Sequence, residues 1–308
     1  MSSAVRDIAV IGNVNLDVLV SPASEIPAPG VEQLVDAAGI RAGGAAANTA
    51  LALAALGAPP RLAGCVGDDA VGRLLVDGLT RAGIAHDVVV VPGTPTGVSV
   101  ALETPERDRS FLTALGSLAA FDRSIIAPEV LSADLVLLCG YFLLPSLQGP
   151  AAREVLGEVR SHGGTTLFDC GWDPGGWSPS SREGVLELLP LVDMFLPNDA
   201  EAAELTGVAD PLEAARALTA ISGGRTVVKL GAGGCLAVAP DGVELAVPAP
   251  RVDALDTTGA GDAFNAGLLF ALARGDGWPD ALGLATRVAS TAVSRPSTDR
   301  YPGVGDLV

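Results

Sequence analysis

The chain has 308 residues, 36 of them acidic and 19 basic, for a formal charge of −17. That length buries one large α/β core or two smaller ones. The acidic balance excludes the basic face that nucleic acid requires and any attraction to an anionic membrane surface.

In chain order, "IAVIG" (8–12) reads as a buried strand. The segment that follows, "IGNVNLDVLV", puts Asn13, Asn15 and Asp17 on one side if the backbone stays extended. These residues are either turn formers or a carboxylate and amides suited to polyol hydroxyls. Residues 16–41 hold β-like pieces around a proline-rich loop. In "RAGGAAANTALALAALG" (41–57), the pair Gly43-Gly44 opens an alanine-rich helix and Asn48 projects from its first turns. Either the glycines belong to a loop before a packing helix, or something approaches the backbone there. "RLAGCV" (61–66) is a strand, "DAVGRLLVDGLTRAG" a helix, and "TPTGVSVALETPERDRSFLT" (94–113) a hairpin turning at "PERDR". With 16–41, the hairpin predicts a small separate sheet, a lid over a cleft or a dimer contact.

Beyond residue 130, "DLVLLCG", "TTLFDCG", "DMFLPN" and "RTVVKLG" read as strands, interleaved with the helical "GPAAREVLGEVRSHG", "DAEAAELTG" and "PLEAARALTAIS". Such alternation predicts a parallel sheet covered on both faces, with ligands at the strands' carboxyl ends. Asn198 and Glu201 have capping-box spacing, which alone explains them. "VVKLGAGGC" (227–235) carries the chain's one lysine, Lys229, with Gly231, Gly233 and Gly234. It is neither a Walker loop nor a dinucleotide fingerprint. It is a tight turn into "CLAVAP", or a place where a strand-end lysine reaches a phosphate.

Near the end, "DALDTTGAGDAFNAGLLFALARG" (253–275) predicts a helix whose apolar face is Phe264, Leu268, Leu269, Leu272 and Ala273. Thr257, Thr258, Gly259, Ala260 and Gly261 fall at its start, where free N–H groups and the helix dipole suit a phosphate. Asp262 turns its carboxylate to the same spot. Cys65, Cys139, Cys170 and Cys235 form no C-x-x-C pair and read as buried free thiols. His86 and His162 lie near predicted helix ends, in surface or capping roles. No signal peptide precedes "RDIAVIGNVNLD" and no apolar run has transmembrane length, so a cytosolic protein is expected.

These segments, in this order, make the chain resemble the ribokinase-like (PfkB-type) carbohydrate kinases over nearly its whole length. The family's two motifs stand as "GGAAANTALALAALG" and "DTTGAGDAFNAGL". The resemblance implies a single domain, 1–308, of three α/β/α layers around a mostly parallel sheet. Lid segments at about 16–41 and 94–113 are inserted in it. It also implies ATP-dependent phosphorylation of a hydroxymethyl group. Carried over by position, Asp262 is the catalytic base and Gly259, Ala260 and Gly261 the anion hole. Asn15, Asp17, Gly43, Gly44 and Asn48 hold substrate hydroxyls. Thr257 lies near the phosphates, Lys229, Gly231 and Gly234 form the nucleotide-side turn, and Asn198 and Glu201 organise Mg2+ through water. Asp256 and Thr258 match a K+ site of some members.

Ala45 stands where ribokinases carry lysine, and Gly140-Tyr141 where they carry a glutamate, which weakens a ribose assignment. The tail "VSRPSTDRYPG" is only loosely like the family's. The leading reading is a sugar kinase. Its alternatives are a nucleoside or sugar-phosphate kinase, or a non-catalytic sugar or nucleotide sensor on the same fold. A phosphorylated sugar would call on Arg41, Arg107 and Arg109, whose other reading, the favoured one, is a solvated hairpin turn. A homodimer through the lid is expected, because paired lids cover exposed edges and an apolar face.

Overall fold

The computed structural model describes residues 5–23, 26–104 and 109–307. Its strands are β1 (Ile8–Gly12), β2 (Asn15–Ser21), β3 (Ala37–Gly43), β4 (Arg61–Gly67), β5 (Ala85–Val91), β6 (Val98–Glu103), β7 (Arg109–Ala114), β8 (Leu135–Cys139), β9 (Thr165–Asp169), β10 (Met194–Phe195), β11 (Arg225–Lys229), β12 (Cys235–Val238) and β13 (Glu244–Val247). Its α-helices are α1 (Ala45–Ala55), α2 (Ala70–Arg81), α3 (Pro128–Leu131), α4 (Pro150–Ser161), α5 (Pro179–Leu186), α6 (Asp199–Thr206), α7 (Pro211–Ser222), α8 (Ala260–Ala273) and α9 (Trp278–Val293).

All five residues of β1 are buried, which a strand achieves only with both faces of its sheet covered. Its side chains alternate accordingly. Ile8 and Val10 join a core with residues of α1, α2, α8 and α9. Ala9 and Ile11 point the other way, into a core with residues of α3, α4, α6 and α7. The large sheet runs β13-β12-β11-β10-β9-β8-β1-β4-β5, with β12 antiparallel to both its neighbours and every other pair parallel. The carboxyl ends of β1, β8, β9 and β11 therefore share one edge. This is the expected three-layer architecture.

The two interruptions form the expected small sheet, in the order β3-β2-β6-β7. Asp17 lies opposite Arg41 on β3 and Ser99 on β6, and Ser99 opposite Thr113 on β7. Paired residues share a face, so these four make one polar row across the lid. One step along, Ile40, Val18, Val100 and Leu112 make an apolar row on the opposite face. The turn residues 105–108, Arg107 among them, lie outside the described residues, as does the Arg109 side chain.

Two expectations are corrected. His86 lies within β5, paired with Leu62, and not near a helix end; His162 is the C-cap of α4 as expected. The apolar pattern of α8 is not one face. Ala263 through Ala271 are all buried, while Leu272 is half-buried, because the helix is sandwiched between the sheet and α9. All four cysteines are free and buried. Among the described residues, no helix is long and apolar enough to cross a membrane.

The approach of α9 to α8 is set by Gly267, where a Cβ would stand 2.8 Å from Ala285 Cα and 3.0 Å from Val288 Cβ. On an exposed helix Gly→Ala gains about 1 kcal/mol. Overpacking here works against that gain by about 1–3 kcal/mol. Gly267→Ala is expected to lower the unfolding free energy, by up to about 2 kcal/mol, in urea denaturation.

Candidate active site

The polar residues after β1 form a buried chain. Asn13 Nδ2 donates to Asn15 Oδ1 at 3.0 Å, and Asn15 Nδ2 donates to Asp17 Oδ1 at 2.9 Å. Asn13 Oδ1 accepts the backbone N–H of Ala45 at 3.1 Å, tying the strand to the start of α1. The glycine pair is a consequence of this crowding. A Cβ on Gly43 would fall onto the Asp17 carboxylate, and one on Gly44, whose φ is +91°, onto the Asn13 carbonyl. Burial pushes the Asp17 carboxyl above its usual range, although Arg41 pulls the other way.

Asn48, one turn into α1, faces α8. Its Nδ2 donates to Asp262 Oδ2 at 2.8 Å, and its Oδ1 accepts from the Tyr301 hydroxyl at 2.8 Å. Gly259 caps α8 with φ +70°. A Cβ there would lie 3.1 Å from Asp262 Oδ2, 3.2 Å from Asn48 Nδ2 and 3.3 Å from Arg300 Nη2. Three reactive groups thus converge on a space that only glycine leaves open. At the helix start, the Ala260 N–H turns back to the Thr257 carbonyl at 3.2 Å. The next first-turn amides, Gly261 and Asp262, have no partner within the helix by geometry. Burial raises the Asp262 carboxyl to about 6.

On the other side of Gly261 lies Lys229, whose Nζ would be 3.3 Å from a Cβ at that position. Lys229 donates to Asp169 Oδ2 at 2.6 Å, and Asn265 Nδ2 donates to the same oxygen at 2.6 Å. Burial draws the ammonium pKa down, but Asp169 and Glu201 outweigh it and the net shift is upward. Asn198 and Glu201 close the expected capping box, with N–H···O distances of 2.8 and 2.9 Å. Glu201 is 4 % exposed, and burial, with Asp169 next, raises it to about 7. The turn at Gly231–Gly233 returns the chain into β12. Gly234 is required by packing, since a Cβ would strike the Val247 carbonyl.

Arg41 overturns its expected place in a solvated turn. It lies on β3 with its side chain 14 % exposed, and Nη1 donates to Asp256 Oδ2 at 2.7 Å. Arg300 reaches the same oxygen only at 3.9 Å. Burial pushes the Asp256 carboxyl up, yet the two guanidiniums together hold it well below its usual range. Thr258 donates its backbone N–H to Asp256 Oδ1 at 2.9 Å.

Asp17, Asn15, Gly43, Gly44, Asn48, Asp262 and the α8 start therefore surround one side of a common space, and Lys229, Asn198 and Glu201 lie together on the other. Four participants were missing from the sequence reading: Asp169, Asn265, Arg300 and Tyr301. Asp169 ends an apolar strand run at the ligand-bearing edge, a signal that was available. Arg300 and Tyr301 belong to no motif and arrive only when the tail folds back onto α1.

Residues 5–302 match the pfkB family carbohydrate kinase family. The aminoimidazole riboside kinase of Salmonella typhimurium is 32 % identical over 247 residues, 78 % of this chain and 76 % of that protein. Ribokinase from Thermotoga maritima has a similar structure, with TM-score 0.82, 25 % identity, and 98 % and 97 % of the two chains covered. Arabidopsis thaliana ribokinase, solved with ribose and ATP, superposes with TM-score 0.81 at 26 % identity over 99 % of this chain and 96 % of that one.

The raised Asp262 pKa carries a stability consequence. The group titrates near 3.8 when unfolded and near 6 when folded. The native state thus holds this proton more tightly, and the group destabilises the fold as pH rises from about 4 to 6, fully so above 6. Asp262→Asn removes that effect. It is expected to stabilise the protein by about 1–3 kcal/mol at pH 8, with the gain vanishing near pH 4, in urea unfolding at the two pH values.

Proposed function

The chain belongs to the pfkB family of carbohydrate kinases, phosphotransferases with an alcohol acceptor, and on that premise we propose that it moves the γ-phosphoryl group of ATP to a hydroxymethyl group of a small carbohydrate. The observation that carries this reading is the convergence over Gly259 of a carboxylate, an amide and helix N–H groups. The acceptor oxygen forms a bond to the γ-phosphorus as the bond from that phosphorus to the β,γ-bridging oxygen breaks, and Asp262 takes the acceptor's proton. The amides at Gly259, Ala260 and Gly261 face the charge that builds on the transferred group, with Gly261 and Asp262 the least committed to internal bonds. Asn48 holds the base in place. Asp17, Asn15, Gly43 and Gly44 line the acceptor side, where Asp17's free oxygen and the backbone accept or donate to hydroxyls.

Lys229, Thr257, Gly231 and Gly234 belong to the nucleotide side in this reading. Lys229 is pinned by Asp169, so its ammonium is a fixed charge under the phosphates, not a mobile finger. Among the described residues no cluster of three or more His, Cys, Asp or Glu side chains could hold a metal ion. Glu201 and Asp169 suit a hydrated Mg2+ that arrives with the nucleotide and keeps most of its waters. Bound there, Mg2+ would neutralise phosphate charge. Potassium does not fit: Arg41 and Arg300 already place two positive charges against Asp256. The apolar lid row, with Ile40 62 % and Leu112 52 % exposed, supports a two-fold homodimer through the lid. Sedimentation at micromolar concentration should show a dimer, and a monomer removes that part of the reading.

With a turned-over acceptor, Asp262→Asn should reduce kcat by roughly 10²–10⁴, the usual contribution of a general base. ADP release measures it, and near-normal turnover would remove Asp262 from the role. In the unaltered enzyme, kcat/KM should fall tenfold per unit of pH below about 6 and be flat above it, because only the ionised carboxylate accepts a proton. On the acceptor side, Asp17→Ala should raise the acceptor KM and leave the KM for ATP nearly unchanged.

A further inference from the structure

Arg300 is 3 % exposed, and none of its Nε, Nη1 and Nη2 atoms has a hydrogen-bond acceptor. Its nearest anionic oxygen is Asp256 Oδ2, at 3.9 Å, beyond hydrogen-bond range. Arg41 commits only Nη1, to that same oxygen. Its Nε and Nη2 are buried without an acceptor, and Nε lies 3.8 Å from Asp17 Oδ2. Two guanidinium groups thus share one closely placed carboxylate oxygen and keep five buried nitrogen atoms unsatisfied. Leaving a buried donor unpaired is unfavourable, and most so when it is charged.

The position of these donors says what they await. Arg300 Nη2 borders the space over Gly259 that Asp262 and Asn48 also border. Arg41 is in the lid's polar row beside Asp17. Arg41 is on the acceptor's half of the cleft and Arg300 borders the point where the two halves meet, while the nucleotide's half has Lys229. A neutral polyol would be served by Asp17, Asn15 and the backbone at Gly43 and Gly44 alone. Paired planar guanidiniums instead match the oxygens of a carboxylate or phosphate two at a time. In a chain of formal charge −17, such a local positive site also offsets the general repulsion of an anion.

We propose that the acceptor carries an anionic group, a carboxylate or a phosphate, gripped by Arg300 and Arg41. This rests on the kinase reading above and narrows its substrate class. Arg300 is then a specificity-determining residue that the motifs do not contain.

The test is calorimetric titration of the intact protein with sugar acids and sugar phosphates of varied length, each against its neutral counterpart. Gluconate against glucitol and fructose 6-phosphate against fructose are the first pairs. At least one anionic member should bind roughly 10–100-fold tighter than its counterpart, the range of a hydrogen bond to a charged group. A winning sugar acid identifies a carboxylate, a winning sugar phosphate a phosphate. Arg300→Met should bring that affinity ratio towards one, and Arg300→Lys should restore part of it. No anion preference anywhere in the panel, or an Arg300→Met variant that weakens both members alike, overturns the inference. ADP release on the same panel separates the two readings. Turnover without anion preference removes only this inference; anion preference without turnover of any acceptor removes the kinase reading and leaves the anion site.

Discussion

Asp169, Glu201 and Asp262 are brought together at the carboxyl edge of the sheet, and the ammonium of Lys229 is what allows three acids to be buried there. It donates to Asp169 at 2.6 Å, and Asn265 on α8 supports the same oxygen. Burial raises both Glu201 and Asp262, with Asp169 adding to each and Lys229 opposing. Without the ammonium, Asp169 would be a buried charge with no countercharge bonded to it, held only by the Asn265 amide and the Gly171 backbone N–H, a situation that strongly destabilises a fold. The pair also joins β9 to β11 directly beneath the first turn of α8. The position of the helix start, and so of Asp262, depends on it.

The second constraint is steric. Gly43, Gly44 and Gly259 bring backbone against Asp17, Asn13 and Asp262, where any Cβ would intrude. The same closeness couples the lid to the body. Asp17 and Arg41 are paired across lid strands, while Arg41 reaches Asp256 in the loop before α8. Opening the lid must separate that ion pair or carry the loop with it, so acceptor entry and the shape of the α8 start are mechanically linked. A closed lid excludes water, which would otherwise compete for the phosphoryl group.

Much of this was legible in residue patterns, and the exceptions have identifiable causes. The inner strands are short, fully buried apolar runs, and the lid stood out because its segments broke the strand–helix alternation. β5, "AHDVVVV", was not foreseen although its four valines are a short apolar run; at the sheet edge it leaves Val89 and Val90 exposed. Nor was α9 foreseen, although Pro279 in its first turn and apolar residues at helical spacing signalled it. Asp262 and the glycines were readable because their spacing is local. Arg41 was misread because its partner, Asp256, is 215 residues away. Arg300 and Tyr301 were unreadable for the same reason: the contact of Tyr301 with Asn48 spans 253 residues.

The central claim is that the α8 start holds the group in transfer while Asp262 holds the attacking hydroxyl. A crystal structure with ADP, Mg2+, aluminium fluoride and an acceptor that the enzyme turns over tests it most directly. The fluoride complex should rest on the N–H groups at Gly259–Gly261, with the acceptor's oxygen within hydrogen-bond reach of the Asp262 carboxylate. A complex bound elsewhere, or an acceptor oxygen out of reach of Asp262, would contradict the account.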